Sequence, residues 1–130
     1  MIHTLVFTLV EGAFGVARLA PSAEVPSWGR SGPFVSITRN DEELSIVCRE
    51  GDIPDGVRSE RGFRCLKIEG PFDFSAVGVI ASFATALASA AISVFVISTF
   101  DTDYLMIKTA DFDRAARVLR EAGHTVRLKG

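Results

Sequence analysis

From residue 68 to residue 107 the chain holds no Lys, Arg or His, and from residue 74 to residue 100 it holds no charge of any kind. This run constrains the fold most, because an uncharged segment of that length could span a bilayer as a helix. Its internal pattern argues otherwise. Ala-rich residues 76–91 give way to β-branched residues 92–97, Ile-Ser-Val-Phe-Val-Ile. Ser75, Ser82, Thr85, Ser89, Ser93 and Ser98 interrupt the run, and no basic anchor flanks it closely. The run is therefore read as a helix followed by a strand, both buried in a globular core, with no membrane contact. Residues 1–4, Met-Ile-His-Thr, lack the basic region and apolar block of a secretory signal, and two cysteines are too few for a disulfide scaffold, so a reducing, cytoplasmic location is expected.

The 130 residues give room for one compact domain or for two half-size units. With 14 basic and 16 acidic residues the net charge is −2, which disfavours nucleic acid as a partner, since phosphate-driven binding needs a basic surface. Cys48 and Cys65 sit in apolar strand-like contexts, and two cysteines do not make a disulfide scaffold. His3 and His124 lie far apart, each without Cys or carboxylate at ligand spacing, so neither a metal nor another cofactor is expected. Nothing favours a catalytic Cys/His pair over the plainer reading of buried cysteines and a surface histidine.

Periodicity is clearest in the second half. Residues 63–69 alternate as a strand, which Gly70-Pro71 closes. A helix is expected over residues 76–91, with Asp73 or Ser75 as its N-cap. Ser75, Gly78, Ser82, Thr85 and Ser89 form a stripe of small residues along it. Strands follow at 92–99 and 103–108 around the tight connection 100–102. A helix is expected over 111–122, with acids at its start, arginines near its end and Gly123 after it, matching the helix dipole and a glycine cap. Residues 125–129 form the last strand. The order β-α-β-β-α-β is that of a ferredoxin-like α+β sandwich.

The first half carries an echo of the second. Residues 8–12 parallel residues 66–70 at a shift of 58, and residues 38–46 parallel residues 99–107 at a shift of 61. The long helix is missing: Pro21, Pro26 and several glycines lie between Gly12 and Gly32. Residues 14–19 read as a separate strand, residues 26–29 as at most a short helix, and residues 52–62 as a linker. The expected organisation is a divergent unit over 1–60 and a complete unit over 61–130.

Two loops of the second unit should lie at one end of its sheet, residues 70–78 and residues 98–103. The helix entry offers unpaired backbone N–H groups for a carboxylate. Asp73, Asp101 and Asp103 offer acids for an ammonium, with no neighbouring cation in sequence to compete. Together they suit a free amino acid. The plainer alternative makes Asp73 a helix cap and Asp101 and Asp103 turn residues.

The run Gly-Pro-Phe-Asp-Phe-Ser-Ala-Val-Gly-Val at residues 70–79, followed by Ile-Ser-Val-Phe-Val-Ile-Ser-Thr-Phe-Asp-Thr-Asp at residues 92–103, resembles an ACT domain. It is similar to the tandem type of aspartokinase regulatory regions and of cytosolic arginine-sensor proteins. The resemblance covers residues 63–129 well and residues 4–50 as a divergent first unit. It implies a non-catalytic amino-acid-binding regulatory protein that works as a homodimer and acts on an unidentified regulated protein. It places the ligand at the first loop, near a dimer or inter-unit interface. Carried over residue by residue, it implies ligand contacts from Phe72, Asp73, Ser75, Val77 and Gly78 in the first loop. Ser98, Thr99, Phe100 and Asp103 would supply the rest, with Asp103 gripping the polar end of the ligand. The first loop is longer than in the sensors. An enzyme of unknown reaction on the same scaffold, or a scaffold that binds no ligand, are the other readings. A phosphate-clamping enzyme would want an Arg in the first loop, and residues 70–78 contain none. RNA binding needs exposed aromatics in basic surroundings, which the acidic strand ends do not provide.

Overall fold

The structure, a computed structural model, describes residues 4–69 and 78–129. These form two compact units, one of residues 10–63 and one that joins residues up to 9 to residues from 64 onward. Strands β1 (Val6–Leu19) and β4 (Ser59–Ile68) are long enough to contribute to both.

In the second of these units the sheet order is β5 (Val94–Ser98), β6 (Asp103–Lys108), β4, β1, with β7 (Thr125–Arg127) parallel to β1 on its far side. Helices α1 (Ala81–Ser89) and α2 (Phe112–Glu121) complete the α+β arrangement. Their apolar faces supply Phe83, Leu87, Phe112, Ala115 and Leu119 to a core shared with Phe7, Leu66, Ile68, Leu105 and Ile107. The alternation in β4 and β6 puts every second residue into this core, as strand geometry requires. The long uncharged run is thus a helix and a strand, and among the described residues no helix is long and apolar enough to cross a membrane.

Helix α1 is shorter than the pattern predicts. Gly78 sits at φ +80°, a left-handed conformation that cannot continue a helix, so regular structure starts only at Ala81. Ile80 holds the N-cap position without a side-chain cap hydrogen bond; Asp73 and Ser75, the expected caps, lie outside the described residues.

Both helices end in the same motif. In α2 the His124 N–H reaches the Leu119 carbonyl and the Gly123 N–H the Arg120 carbonyl, each at 3.0 Å, with Gly123 at φ +98°. In α1 the Ile92 N–H reaches Leu87 O at 3.0 Å and the Ala91 N–H Ala88 O at 2.9 Å, but the left-handed residue, at φ +59°, is Ala91. This is the Schellman pattern, with its six-to-one and five-to-two bonds. It also turns the second residue past the helix inward, and both Ile92 and His124 are buried.

The other unit orders its strands β2 (Ser36–Arg39), β3 (Leu44–Arg49), β1, β4. Two sequence expectations are corrected here. The segment expected as a separate strand at residues 14–19 is part of one 14-residue strand, Val6–Leu19, that passes through Gly12 at φ +106°. The stretch read as a linker is partly structured: a 3₁₀ turn spans Glu50–Asp52, Ile53 is buried, and β4 begins at Ser59. Between β1 and β2 the only helical turn is the 3₁₀ turn Ser27–Gly29. Loop carbonyls that a helix would satisfy internally are met here by arginines. Arg39 bonds Pro21 O and Ala23 O, Arg30 bonds Val25 O twice, and Arg61 bonds the carbonyls of Glu50, Ile53 and Pro54. Most of these bonds are exposed to solvent, and only the one from Arg61 to the Ile53 carbonyl is partly buried.

The hairpins β2–β3 and β5–β6 share a geometry, at a shift different from the one read in the sequence. The last pairs are Arg39↔Leu44 and Ser98↔Asp103, which sets the correspondence at 59 residues, not 61. The loops between them close alike: Asn40 N–H to Glu43 O at 3.0 Å and Thr99 N–H to Thr102 O at 2.8 Å. In each, the first side chain accepts the fourth residue's amide, Asn40 Oδ1 from Glu43 and Thr99 Oγ1 from Thr102. A 3₁₀ turn follows each hairpin, Glu50–Asp52 and Thr109–Asp111. A slip of two residues leaves every side chain on its own face of the sheet, so apolar alternation could not distinguish the two registers.

Candidate functional site

Four of the predicted site residues, Ser98, Thr99, Phe100 and Asp103, meet at one end of the β5–β6 hairpin. The Ser98 hydroxyl donates to Asp103 Oδ1 across the last backbone pair. Such a bond orders the carboxylate, which is partly buried. The Thr99 hydroxyl is used within the turn: it accepts the Thr102 N–H at 3.2 Å and lies 3.0 Å from Thr102 O and 2.9 Å from Thr102 Oγ1. Between them Phe100 stands 78% exposed at the tip. Gly78 lies at the entry of α1, where its carbonyl accepts the Ser82 N–H at 2.9 Å. The remaining four, Phe72, Asp73, Ser75 and Val77, lie outside the described residues.

Helix α1 is held at both ends by the α2–β7 segment. At its start His124 Nε2 is 3.1 Å from the Ser82 carbonyl; at its end the Arg114 guanidinium donates to the Ala90 carbonyl and pairs with Asp111 at 3.2 Å. A cation at the last carbonyls also suits the negative end of the helix dipole. His124, expected at the surface from the sequence, is only 6% exposed. The readable signal was its place immediately after Gly123, the position that the Schellman motif turns inward.

Arg64 Nε is buried without a hydrogen-bond partner among the described residues, and its guanidinium carbon lies 4.9 Å above the Phe112 ring. The two thiols are unsuited to nucleophilic work at neutral pH. Burial raises both above the ordinary value of 9.0, and it pushes Cys65 up to about 12. A buried thiol resists becoming the thiolate that reacts. Both cysteines are unbridged. No group of three or more His, Cys, Asp or Glu side chains is placed to hold a metal ion among the described residues.

A model of the ACT domain matches residues 58–121, which contain both loops of the candidate site. A second model, described as an N-terminal domain, matches residues 12–56. Among solved structures, a protein from Agobacterium tumefaciens is 41% identical, with a TM-score of 0.93 over 98% of this chain and 96% of its own. A protein of unknown function from Vibrio cholerae, described as a possible transport protein, is 23% identical, with a TM-score of 0.74 over 92% of this chain and 90% of its own. The ligand-free regulatory subunit of aspartate kinase from Thermus thermophilus shares the fold at 9% identity, with a TM-score of 0.61 over 95% of this chain and 99% of its own. No curated protein matches the sequence.

Proposed function

Because the chain belongs to the ACT domain family, we propose that it is a cytoplasmic regulatory protein that binds a free amino acid and performs no catalysis. The observation that carries this reading is the family match over residues 58–121, which takes in both the loop before α1 and the hairpin end holding Asp103. The ligand carboxylate sits at the entry of α1, at the positive end of the helix dipole, where the N-cap residue Ile80 supplies no side-chain bond. The ligand amine meets Asp103, held by Ser98. Phe72, Asp73, Ser75, Val77, Gly78 and Phe100 line the site, and Thr99 shapes the turn that presents Phe100.

The organisation we propose is tandem in sequence, with a divergent unit over residues 1–60 and a complete one over residues 61–130, the residues up to 9 packing with the second. The family matches at residues 12–56 and 58–121 and the shared hairpin geometry at a 59-residue shift support it. The protein works as a homodimer and passes its liganded state to a separate regulated protein.

A thermal-shift screen of the twenty amino acids tests this reading, because a ligand selective for the folded state raises its apparent stability. At least one amino acid at millimolar concentration should raise the melting temperature. No shift with any of them overturns the ligand-binding form of the proposal. Sedimentation tests the dimer separately, and a monomer at high concentration removes it.

A further inference from the structure

We infer that His124 is a proton-sensitive latch on the start of β1. Its Nδ1 accepts the Leu5 backbone N–H at 3.0 Å, so that nitrogen carries no proton in this structure. The ring proton is then on Nε2, which donates to the Ser82 carbonyl at 3.1 Å. The Phe7 ring stands edge-on to the imidazole, with centroids 5.5 Å apart and planes at 76°. Both nitrogens are thus used, and the ring is buried.

A second proton has one place to go, Nδ1, where it points at the Leu5 N–H. Two donors then face each other, and a buried amide loses its acceptor. The Nε2–H bond to Ser82 survives, so the change falls on β1 and not on α1. Leu5 is where it matters: its carbonyl accepts the Thr125 N–H at 2.9 Å, and Val6 pairs with Thr125 in the parallel β1–β7 ladder.

From α1 the ring meets a carbonyl, and residues 81–89 include no titratable side chain. From β1 it meets the Leu5 amide and Phe7, and no residue from 4 to 9 is titratable. On its own segment the nearest charges in sequence are Arg120, Glu121 and Arg127; Arg120 bonds the Val126 carbonyl and Glu121 pairs with Arg117. This inference does not depend on the ligand-binding reading.

Nuclear magnetic resonance on the wild-type protein between about pH 8 and about pH 5 tests it, the span in which imidazoles change charge. Imidazole ¹⁵N shifts report the proton on Nδ1, and amide exchange, corrected for its intrinsic pH dependence, reports Leu5. Protection at Leu5 should fall by about tenfold as Nδ1 gains its proton, while amides within α1 keep theirs. In His124→Asn the amide oxygen can accept the Leu5 N–H at every pH, so protection there should not follow pH. The inference is overturned if Leu5 stays protected while the ring charges, or if the ring takes no second proton across the range. It is equally overturned if His124→Asn shows the same fall. Should that variant not fold, the wild-type titration decides.

Discussion

Ser98 and Asp103 are the last backbone pair of the β5–β6 hairpin, and the Ser98 hydroxyl closes the same pair through the Asp103 carboxylate. The bond fixes which way the acid faces without needing a cation, in a stretch that has none from residue 68 to residue 107. If Asp103 binds the ligand amine, charge and orientation separate by mutation. Asp103→Asn keeps the shape and removes the charge, and should abolish the thermal shift produced by any amino acid found in the screen. Ser98→Ala keeps the charge and frees the carboxylate, and should weaken affinity by about tenfold while leaving the unliganded melting temperature nearly unchanged. An unaltered ligand shift in Asp103→Asn would remove Asp103 from the site.

Ala91 occupies the left-handed cap position that Gly123 occupies in α2. A side chain there costs about 1 kcal/mol, because Cβ crowds the following carbonyl. Ala91→Gly should therefore stabilise the protein by about 0.5–1 kcal/mol, and Gly123→Ala should destabilise it by about 1 kcal/mol. Urea denaturation reads both as opposite movements of the midpoint at constant slope.

Arg61 supplies the donors for three loop carbonyls, those of Glu50 at 2.7 Å, Ile53 at 3.0 Å and Pro54 at 3.3 Å. A lysine cannot span them, since its donors radiate from one nitrogen. Arg61→Lys should cost about 1–2 kcal/mol, and amide exchange should rise around residues 50–58 before it rises in α2. Equal stability of the two proteins would mean that water satisfies these carbonyls as well.

The Cys65 thiol, raised by burial from 9.0 to about 12, makes stability fall in alkali. Between those values the unfolded chain loses a proton that the folded chain keeps, which favours unfolding. The contribution is complete below about pH 9 and is lost as the pH rises toward about 12, at up to about 1.4 kcal/mol per pH unit. Cys65→Ala should start less stable at pH 8 because it opens a cavity, yet lose less between about pH 8 and about pH 10. Urea midpoints at each pH compare the slopes. Cys48 is shifted in the same direction, so part of the decline should persist in the variant.

Much of the second half of the chain was legible because its signals are local. The alternation in residues 63–69, the tight connection before Asp103 and the glycine after α2 each report a backbone preference acting over a few residues, and the structure has β4, β6 and α2 there. The start of α1 is not legible in the sequence, because Ala76, Val77 and Val79 are compatible with a helix while the decision rests on the single torsion of Gly78. The hairpin correspondence is ambiguous by two residues in the sequence, because the sheet period is two. At the candidate site, the sequence singled out Ser98, Phe100 and Asp103 by motif, but the bond that orients Asp103 appears only when the strand register is known.

Composition and periodicity by themselves determined that this chain is an α+β protein and that its uncharged run is a helix and a strand, since burial periodicity is written in neighbouring residues. Tertiary structure alone decided the contacts between distant residues. It brought Leu5 to His124 across 119 positions, turned three arginines onto loop carbonyls, and set Arg114 on the carbonyl of Ala90, the C-cap of α1. The physical reason is that a backbone donor or acceptor needs a partner but does not specify which residue supplies it. That choice falls to whatever the packed core brings within 3 Å or so.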